Sequence, residues 1–285
     1  KCFDSKQAAE AISEADIFCL HIGAGFSADS GLAVYKDIAD IPAYHKRNIG
    51  YSELCDPNWL ENDPGLFYGF MGKCFNDYRT TVPHEGYQII KIWRDQYLKL
   101  SPEAPSFADK FASAISEHTT RHPLAVHPSK NPFFIYSSNV DNHPITAGFE
   151  PNELYEMHGT VENWQCYDNC KAKIWKAPAG YKFEIDEETM LAEDSPFEAF
   201  AKSKNPIERA FQSNFPKCID CGGLARPNIL MFGDVTYQRD MEAYATFKAW
   251  EIVALNFAQA GKKVVMLEIG CGINISSIRL QSESM

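Results

Sequence analysis

The stretch Asp16-Ile17-Phe-Cys-Leu-His-Ile22-Gly23-Ala-Gly25-Phe-Ser27-Ala28 decides the fold. Ile17 to Ile22 reads as a buried strand that stops at Gly23, and Lys6 to Ala15 before it puts Ala8, Ala9, Ile12 and Ala15 on one helical face. Gly23, Gly25 and Ala28 fit G-x-G-x-x-(G/A) directly after a strand and before a helical run. In that context the glycines let backbone approach a pyrophosphate, and the next helix offers free amide donors. An ordinary tight turn uses glycine in the same way. A hydride-transfer site of this type expects an acidic residue about twenty positions on. The chain offers only Asp37 and Asp40 before an irregular region, which disfavours a plain dehydrogenase.

Working outward, Pro132-Phe-Phe-Ile-Tyr136, Asn228-Ile-Leu-Met-Phe232 and Lys263-Val-Val-Met-Leu267 read as further buried strands. Their tips are Ser137-Ser-Asn139-Val-Asp141, Gly233-Asp234 and Gly270-Cys271-Gly272. Short apolar strands separated by long helical stretches predict an α/β fold, a Rossmann-like parallel sheet with helices on both faces. Ligands of such sheets bind at the carboxyl ends of the strands, so all four tips should line one cleft. Residues 35–124 are rich in aromatic, Pro and Gly residues, with helices expected at Leu66–Tyr78 and Gly86–Lys99, and read as a helical module beside the cleft. Residues 164–226 hold paired cysteines and an acidic stretch, Glu184 to Glu198, and read as a small insert. That leaves 1–34, 125–163 and 227–285 for the large domain of a single 285-residue catalytic unit.

The charge balance of 27 basic against 38 acidic residues gives a net charge of -11, with no Lys/Arg block to neutralise a row of phosphates. Direct nucleic-acid binding is not expected. The longest apolar runs are strand-sized, so no membrane association is expected either. No leader pattern opens the chain, and its start at Lys1 is what a piece of a longer protein would show. Nine unevenly spaced cysteines suit a reducing, intracellular compartment, cytoplasmic or nuclear, better than a disulfide framework.

Cys166-x-x-x-Cys170 and Cys218-x-x-Cys221 form two thiol pairs with 47 residues between them. Cys221-Gly-Gly adds the tight turn common after a zinc-binding pair. Four thiolates close a tetrahedral site and leave no position for water, so Zn2+ here would be structural. Asn139 and Asp141 alternate with Val140 after a buried strand, and could grip a nucleotide's polar groups or simply form an Asx turn. His158, in Glu153-Leu-Tyr-Glu-Met-His158-Gly159-Thr160, lies between the glycine turn and the first thiol pair, where a cleft-facing acid/base group would sit. The other histidines, His21 and His143 among them, read as structural or surface residues, and the five tryptophans as core.

In order along the chain stand Gly23-Ala-Gly-Phe-Ser-Ala-Asp-Ser-Gly31, Asn139-Val-Asp141, His158-Gly159, the two cysteine pairs and Arg226-Pro-Asn-Ile-Leu-Met-Phe-Gly-Asp234. This series resembles the sirtuin family of NAD-dependent protein deacylases across most of the chain. The resemblance implies NAD as cofactor and an acyl-lysine protein as substrate, or an ADP-ribose acceptor in the family's transferase branch. It puts Gly23, Ala24, Gly25 and Ser27 around the NAD phosphates and ribose, with Tyr35 and Lys36 in the cofactor loop. It puts Ser138, Asn139 and Asp141 at the nicotinamide end, with Asn139 counted beside the catalytic group. His158 becomes the general base, while Phe232, Gly233 and Asp234 lie beside the substrate peptide. Gly270, Cys271 and Gly272 stand where the family holds the adenosine ribose, and the family continues beyond Met285 into a further strand.

Three positions depart from the family. Ala33-Val34-Tyr35-Lys36 replaces a Pro-Asp-Phe-Arg-like run, and lysine cannot make arginine's forked contacts. Ser138 stands where a glutamine usually precedes the asparagine. Leu267-Glu-Ile-Gly-Cys-Gly-Ile-Asn274 is similar to the macrodomain-linked branch of protein ADP-ribosyltransferases, which carries glutamine at the place of His158. Deacylation, mono-ADP-ribosylation or NAD hydrolysis, and non-catalytic binding are the readings left open, with deacylation first.

Overall fold

The computed structural model describes residues 5–34, 36–97, 104–121, 129–272 and 277–284. Its strands in chain order are β1 (Ile17–Ile22), β2 (Phe133–Ser137), β3 (Leu154–Glu156), β4 (Gly159–Cys166), β5 (Ile174–Lys176), β6 (Ala225–Ile229) and β7 (Val264–Ile269). β1, β2, β3 and β7 make a parallel sheet in the order β3-β2-β1-β7. Strand β1 is central, with Phe18 opposite Phe133 and Leu20 opposite Leu267.

Alternation along these strands builds two cores, one on each face. Ile17, Cys19, Phe134, Tyr136 and Tyr155 pack with Phe107 and Phe111 of the helix Ala104–Arg121 and with Phe247 and Trp250 of the helix Met241–Gln259. On the other face Phe18, Leu20, Ile22, Phe133 and Ile135 meet Phe26, Tyr87 and Ile90. The α/β parallel sheet covered on both sides is the expected fold class. No described helix is long and apolar enough to cross a membrane.

One expected strand lies elsewhere. The run Asn228–Phe232 is not a member of the parallel sheet: the strand is Ala225–Ile229, and it pairs antiparallel with β4 in a second sheet of order β5-β4-β6. Leu230 and Phe232, past its end, are 43% and 51% exposed. The fourth parallel strand is instead the three-residue β3. The second sheet thus draws residues from both sides of the 164 and 226 limits expected for the insert.

A third core joins this sheet to the helical region. The helix Pro64–Thr80 starts with Pro64 after Asp63, whose carboxylate accepts from the Leu66 N–H at 3.0 Å. Two glycines on it let the insert lie flush. A β-carbon at Gly69 would stand 2.1 Å from the Met190 carbonyl oxygen, and one at Gly72 would stand 2.5 Å from the Phe183 ring. Arg79 then clamps the pieces, donating from Nε and Nη2 to Glu162 on β4 at 2.7 Å each and from Nη1 to the Tyr181 carbonyl at 3.0 Å. The second expected helix is α-helical over Glu85–Ile92 and continues as a π-helix over Trp93–Tyr97, with residues 98–99 of its expected range outside those described.

Candidate active site

The tips of β1 and β2 are stitched together. Ser138 N–H donates to the Ile22 carbonyl at 3.1 Å, extending the ladder one residue beyond the strands. Asn139 then turns inward, and its Nδ2 donates to the Gly23 carbonyl at 3.0 Å and to Ser27 Oγ at 2.9 Å. Ser27 Oγ donates onward to Asp141 Oδ2 at 2.5 Å, and Asp141 Oδ1 accepts from the His143 N–H at 2.8 Å. The three side chains in this chain of contacts, Ser27, Asn139 and Asp141, are buried. The network is rigid because each donor has a named acceptor, and loss of one member strands another in a dry site.

His158 follows β3, and its Nδ1 lies 3.1 Å from the Ser138 carbonyl oxygen. A carbonyl only accepts, so Nδ1 carries the hydrogen and Nε2 of the neutral ring keeps a free lone pair. Burial lowers the His158 pKa below its ordinary 6.5, against the opposing pull of the Ser138 carbonyl. The ring is therefore neutral at pH 7 and suited to take a proton.

Ala24, Ser27, Ser138, Asn139, Asp141 and His158 all line one cavity of about 320 Å3, with Phe232 on it as well. Of the expected residues, Gly23, Gly25, Gly233, Asp234, Gly270, Cys271 and Gly272 are not on the wall of this cavity. Gly23 and Gly25 face the chain's own β7 tip: a β-carbon at Gly23 would stand 2.7 Å from the Gly270 oxygen, and one at Gly25 2.9 Å from the Gly270 Cα. Gly25 N–H is also spent on the Gly270 carbonyl at 2.9 Å, so what these glycines admit is Gly270. Cys271, half-buried with its thiol pKa pushed up to about 11 by burial, donates from Sγ to the Ile269 carbonyl at 3.4 Å; neither it nor Gly272 lines the cavity. Asp234 turns away into a buried ion pair with Arg226, and its Oδ1 accepts from the Thr236 N–H at 3.0 Å. Gly233 beside it is not on the cavity wall. Tyr35 and the side chain of Lys36 lie outside what is described.

Several wall residues come from the helical region and the loop before it, which the motifs did not reach: Leu32, Ile38, Tyr51, Cys55 and Tyr78. Tyr51 and Cys55, four apart, carried a helical-face signal. Glu156 is a further titratable group nearby, with a carboxyl pKa held well above its ordinary value by burial and then by Asp141.

The thiol pairs do converge. The Sγ atoms of Cys166, Cys170, Cys218 and Cys221 all lie within 4.8 Å of one another. Cys166 and Cys221 are 3.7 Å apart and Cys170 and Cys218 3.6 Å. A tetrahedral zinc with bonds of about 2.3 Å needs sulfurs about 3.8 Å apart, so the cluster fits that ion. Asp220 N–H donates to Cys218 Sγ and Gly223 N–H to Cys221 Sγ, each at 3.4 Å, which orients the two sulfurs.

The family model described as the Sir2 family matches residues 117–255. An NAD-dependent protein deacetylase 2 of Caldanaerobacter subterraneus subsp. tengcongensis is 24% identical over 235 residues, covering 80% of this chain and 66% of that protein. An NAD-dependent protein deacylase of Candida albicans is 22% identical over 230 residues, covering 75% and 64%. A probable bifunctional ADP-ribose hydrolase/ADP-ribosyltransferase of Fusarium oxysporum f. sp. cubense is 25% identical over 282 residues, covering 95% of this chain and 38% of that protein. The chain spans less than two thirds of the length of each of these relatives. The motif order, the four-thiol cluster and the parallel sheet agree with these matches, and the chain is similar to the Sir2, or sirtuin, family.

Proposed function

We propose that the chain is an NAD-dependent protein-lysine deacylase with His158 as its general base. The observation that carries this is His158 itself, tied through Nδ1 to the Ser138 carbonyl and lining a cavity shared with Asn139 and Asp141. Bound NAD would supply an electrophilic ribose carbon and a nicotinamide leaving group. Asn139, Asp141 and Ser27 suit its nicotinamide end, because a buried amide, carboxylate and hydroxyl can hold an amide and a sugar. The Gly23–Ser27 turn against Gly270–Gly272 suits the adenosine side. Val140, Ile229 and Met231 add apolar surface to the cavity wall. His158 Nε2 takes a proton from a hydroxyl brought to it and holds it on a ring oriented by Ser138. Phe232 at the exposed loop suits contact with the substrate peptide. The four thiolates would hold zinc as a structural ion, away from the proton chemistry. The cysteines, unbridged among the described residues, support an intracellular, cytoplasmic or nuclear setting.

The test is to mix the protein with NAD and an acetyl-lysine peptide and follow nicotinamide, peptide mass and protein mass. Acyl loss that requires NAD is expected, and His158→Ala should slow it by about 10²–10⁴-fold with NAD still bound. Turnover at the wild-type rate in that variant refutes the assignment. Protein mono-ADP-ribosylation, with NAD hydrolysis as its water-accepting form, is the second reading. The Ser138 hydroxyl, which donates at 3.4 Å to the Ile22 carbonyl in place of a longer reaching side chain, favours it, as does the likeness to the Fusarium protein. A protein mass gain of one ADP-ribose identifies that outcome.

A further inference from the structure

Strand β3 ends on a carboxyl that the proton chemistry of His158 does not use. Alternation sends Leu154 to the core of Phe26 and Tyr87 and sends Tyr155 to the opposite one, so Glu156 returns to the Leu154 face, opposite Ser137 of β2. There it comes within electrostatic reach of Asp141 and Tyr87. Its Oε1 is buried and has no partner among the described residues. A carboxylate oxygen with no donor in a dry place is costly to ionise, so the group keeps its proton. Burial, and next Asp141, push this carboxyl well above the ordinary carboxylate range, with the Asn142 backbone opposing them. Glu162 of β4 adds to the rise and Lys176 of β5 opposes it, the former already paired with Arg79. Tyr87 on the helix Glu85–Ile92 and Tyr237 after β6 complete the set, and burial raises both phenols, which are neutral at pH 7.

Asp141 has the opposite character. Both of its oxygens accept, one from Ser27 Oγ at 2.5 Å and one from the His143 N–H at 2.8 Å, as a carboxylate's do. No lysine or arginine among the described residues lines the cavity, so the cavity wall offers this charge no counter-charge. A ligand ring with a fixed positive charge would supply one. We propose that Glu156 is a positioning residue behind Asp141, uncharged in the free protein, which yields its proton to solvent when a cationic ring of the pyridinium class settles against Asp141. The proposal rests on the reading of Ser27, Asn139 and Asp141 as the nicotinamide end of the site. One positive charge enters as another leaves, so the buried group keeps its net charge.

The experiment is calorimetric titration of the whole chain with NAD+ and with NADH, whose ring is uncharged, in buffers of different ionisation enthalpy from about pH 5.5 to 8. ADP-ribose, which has no ring, stands in if NADH does not bind. The free protein holds the proton and the loaded one does not, so affinity for NAD+ should rise with pH, by up to about ten-fold per unit, while that for NADH stays level. At the steepest point NAD+ should release at least about half a proton more than NADH. Glu156→Gln keeps the shape without the titrating proton and should bind NAD+ with no extra release. The comparison of NAD+ with NADH needs no variant, so it decides the matter even if that variant does not fold. Equal release by the two, an NAD+ affinity that is level or falls with pH, or extra release that persists in Glu156→Gln each overturns the proposal. At saturating NAD+ the linkage is already spent, so a kcat/KM profile taken on the peptide reports His158 alone. The acyl-lysine assay keeps the two readings apart. Extra release without acyl loss leaves Glu156 assigned and refutes the deacylase, acyl loss without extra release does the reverse, and failure to bind NAD+ overturns both.

Discussion

The two sides of the cavity are built on opposite principles. On the sheet side, Ser27, Asn139, Asp141 and His158 follow closely on the ends of β1, β2 and β3 and are held by hydrogen bonds to one another and to backbone carbonyls at the strand tips. On the other side, Ile38, Tyr51, Cys55 and Tyr78 are held by packing against a core that includes the second sheet and the insert. Polar groups are fixed by directional bonds and so can serve chemistry; the apolar wall is fixed by shape and so can serve selection. A consequence is that the wall depends on distant parts, the thiol cluster among them, while the polar floor depends on its own strands.

Removal of metal is the strongest way to break this comparison. Stripping zinc with a chelator, or replacing Cys218 by Ser, should lower the melting temperature by roughly 10 °C or more, since metal-binding free energy becomes folding free energy where thiols have no other reason to converge. Hydrogen exchange should quicken across the helix Pro64–Thr80 and β4 to β6 and stay slow in β1 and β2. Equal quickening in the parallel sheet would show one cooperative unit and erase the distinction.

A smaller effect probes the wall alone. Gly69→Val should cost about 2–4 kcal/mol in denaturant unfolding, because its β-carbon would meet the Met190 carbonyl at 2.1 Å, which is backbone and cannot rotate away. Its peptide affinity should fall more than its NAD affinity, as measured by separate titrations. The reverse ranking would place the wall's influence on the cofactor side.

The smallest effect sharpens the floor. His158 must be neutral to accept a proton, and burial lowers its pKa below 6.5, so activity should hold at pH 6.5 and fall only as pH drops through that lowered value. A kcat/KM profile that declines from above pH 7 would show a ring less buried than this one. Stability should fall in the same direction through His21, whose pKa burial lowers to about 4. Between pH 6.5 and 4 the unfolded chain binds the proton and the folded one does not, so acid favours unfolding across that window.

The floor was legible in the sequence, and the wall was not. Strands β1, β2 and β7 announce themselves as runs of Ile, Val, Leu and Phe ending in polar or glycine tips, which is what a sheet buried on both faces requires. Three residues, Leu154-Tyr155-Glu156, are too few to show a period, so β3 stayed hidden beside the histidine it delivers. β6 was misplaced because Ala225-Arg-Pro-Asn-Ile229 contains an arginine, and apolar patterning has no way to register a charge neutralised inside the fold by Asp234. The apolar run just past it, Leu230 to Phe232, took its place in the reading although Phe232 faces outward. The wall residues lie from 32 to 78 and meet only through tertiary packing, so no local spacing links them. The glycine turn was found for its pattern, yet the close approach it permits is to Gly270.

The Arg226 and Asp234 pair also bears on how such a chain can change over generations. It fastens the loop after β6 from within, with Arg226 Nη2 also donating to the Ile229 carbonyl at 2.9 Å and the Met231 N–H to Asp234 Oδ2 at 3.4 Å. The outward residues Leu230, Phe232 and Val235, the last 96% exposed, contribute little to that fastening. Drift at those three positions can therefore retune what the loop touches while its course stays put, which leaves new specificities open to a protein that need not rebuild its scaffold to reach them.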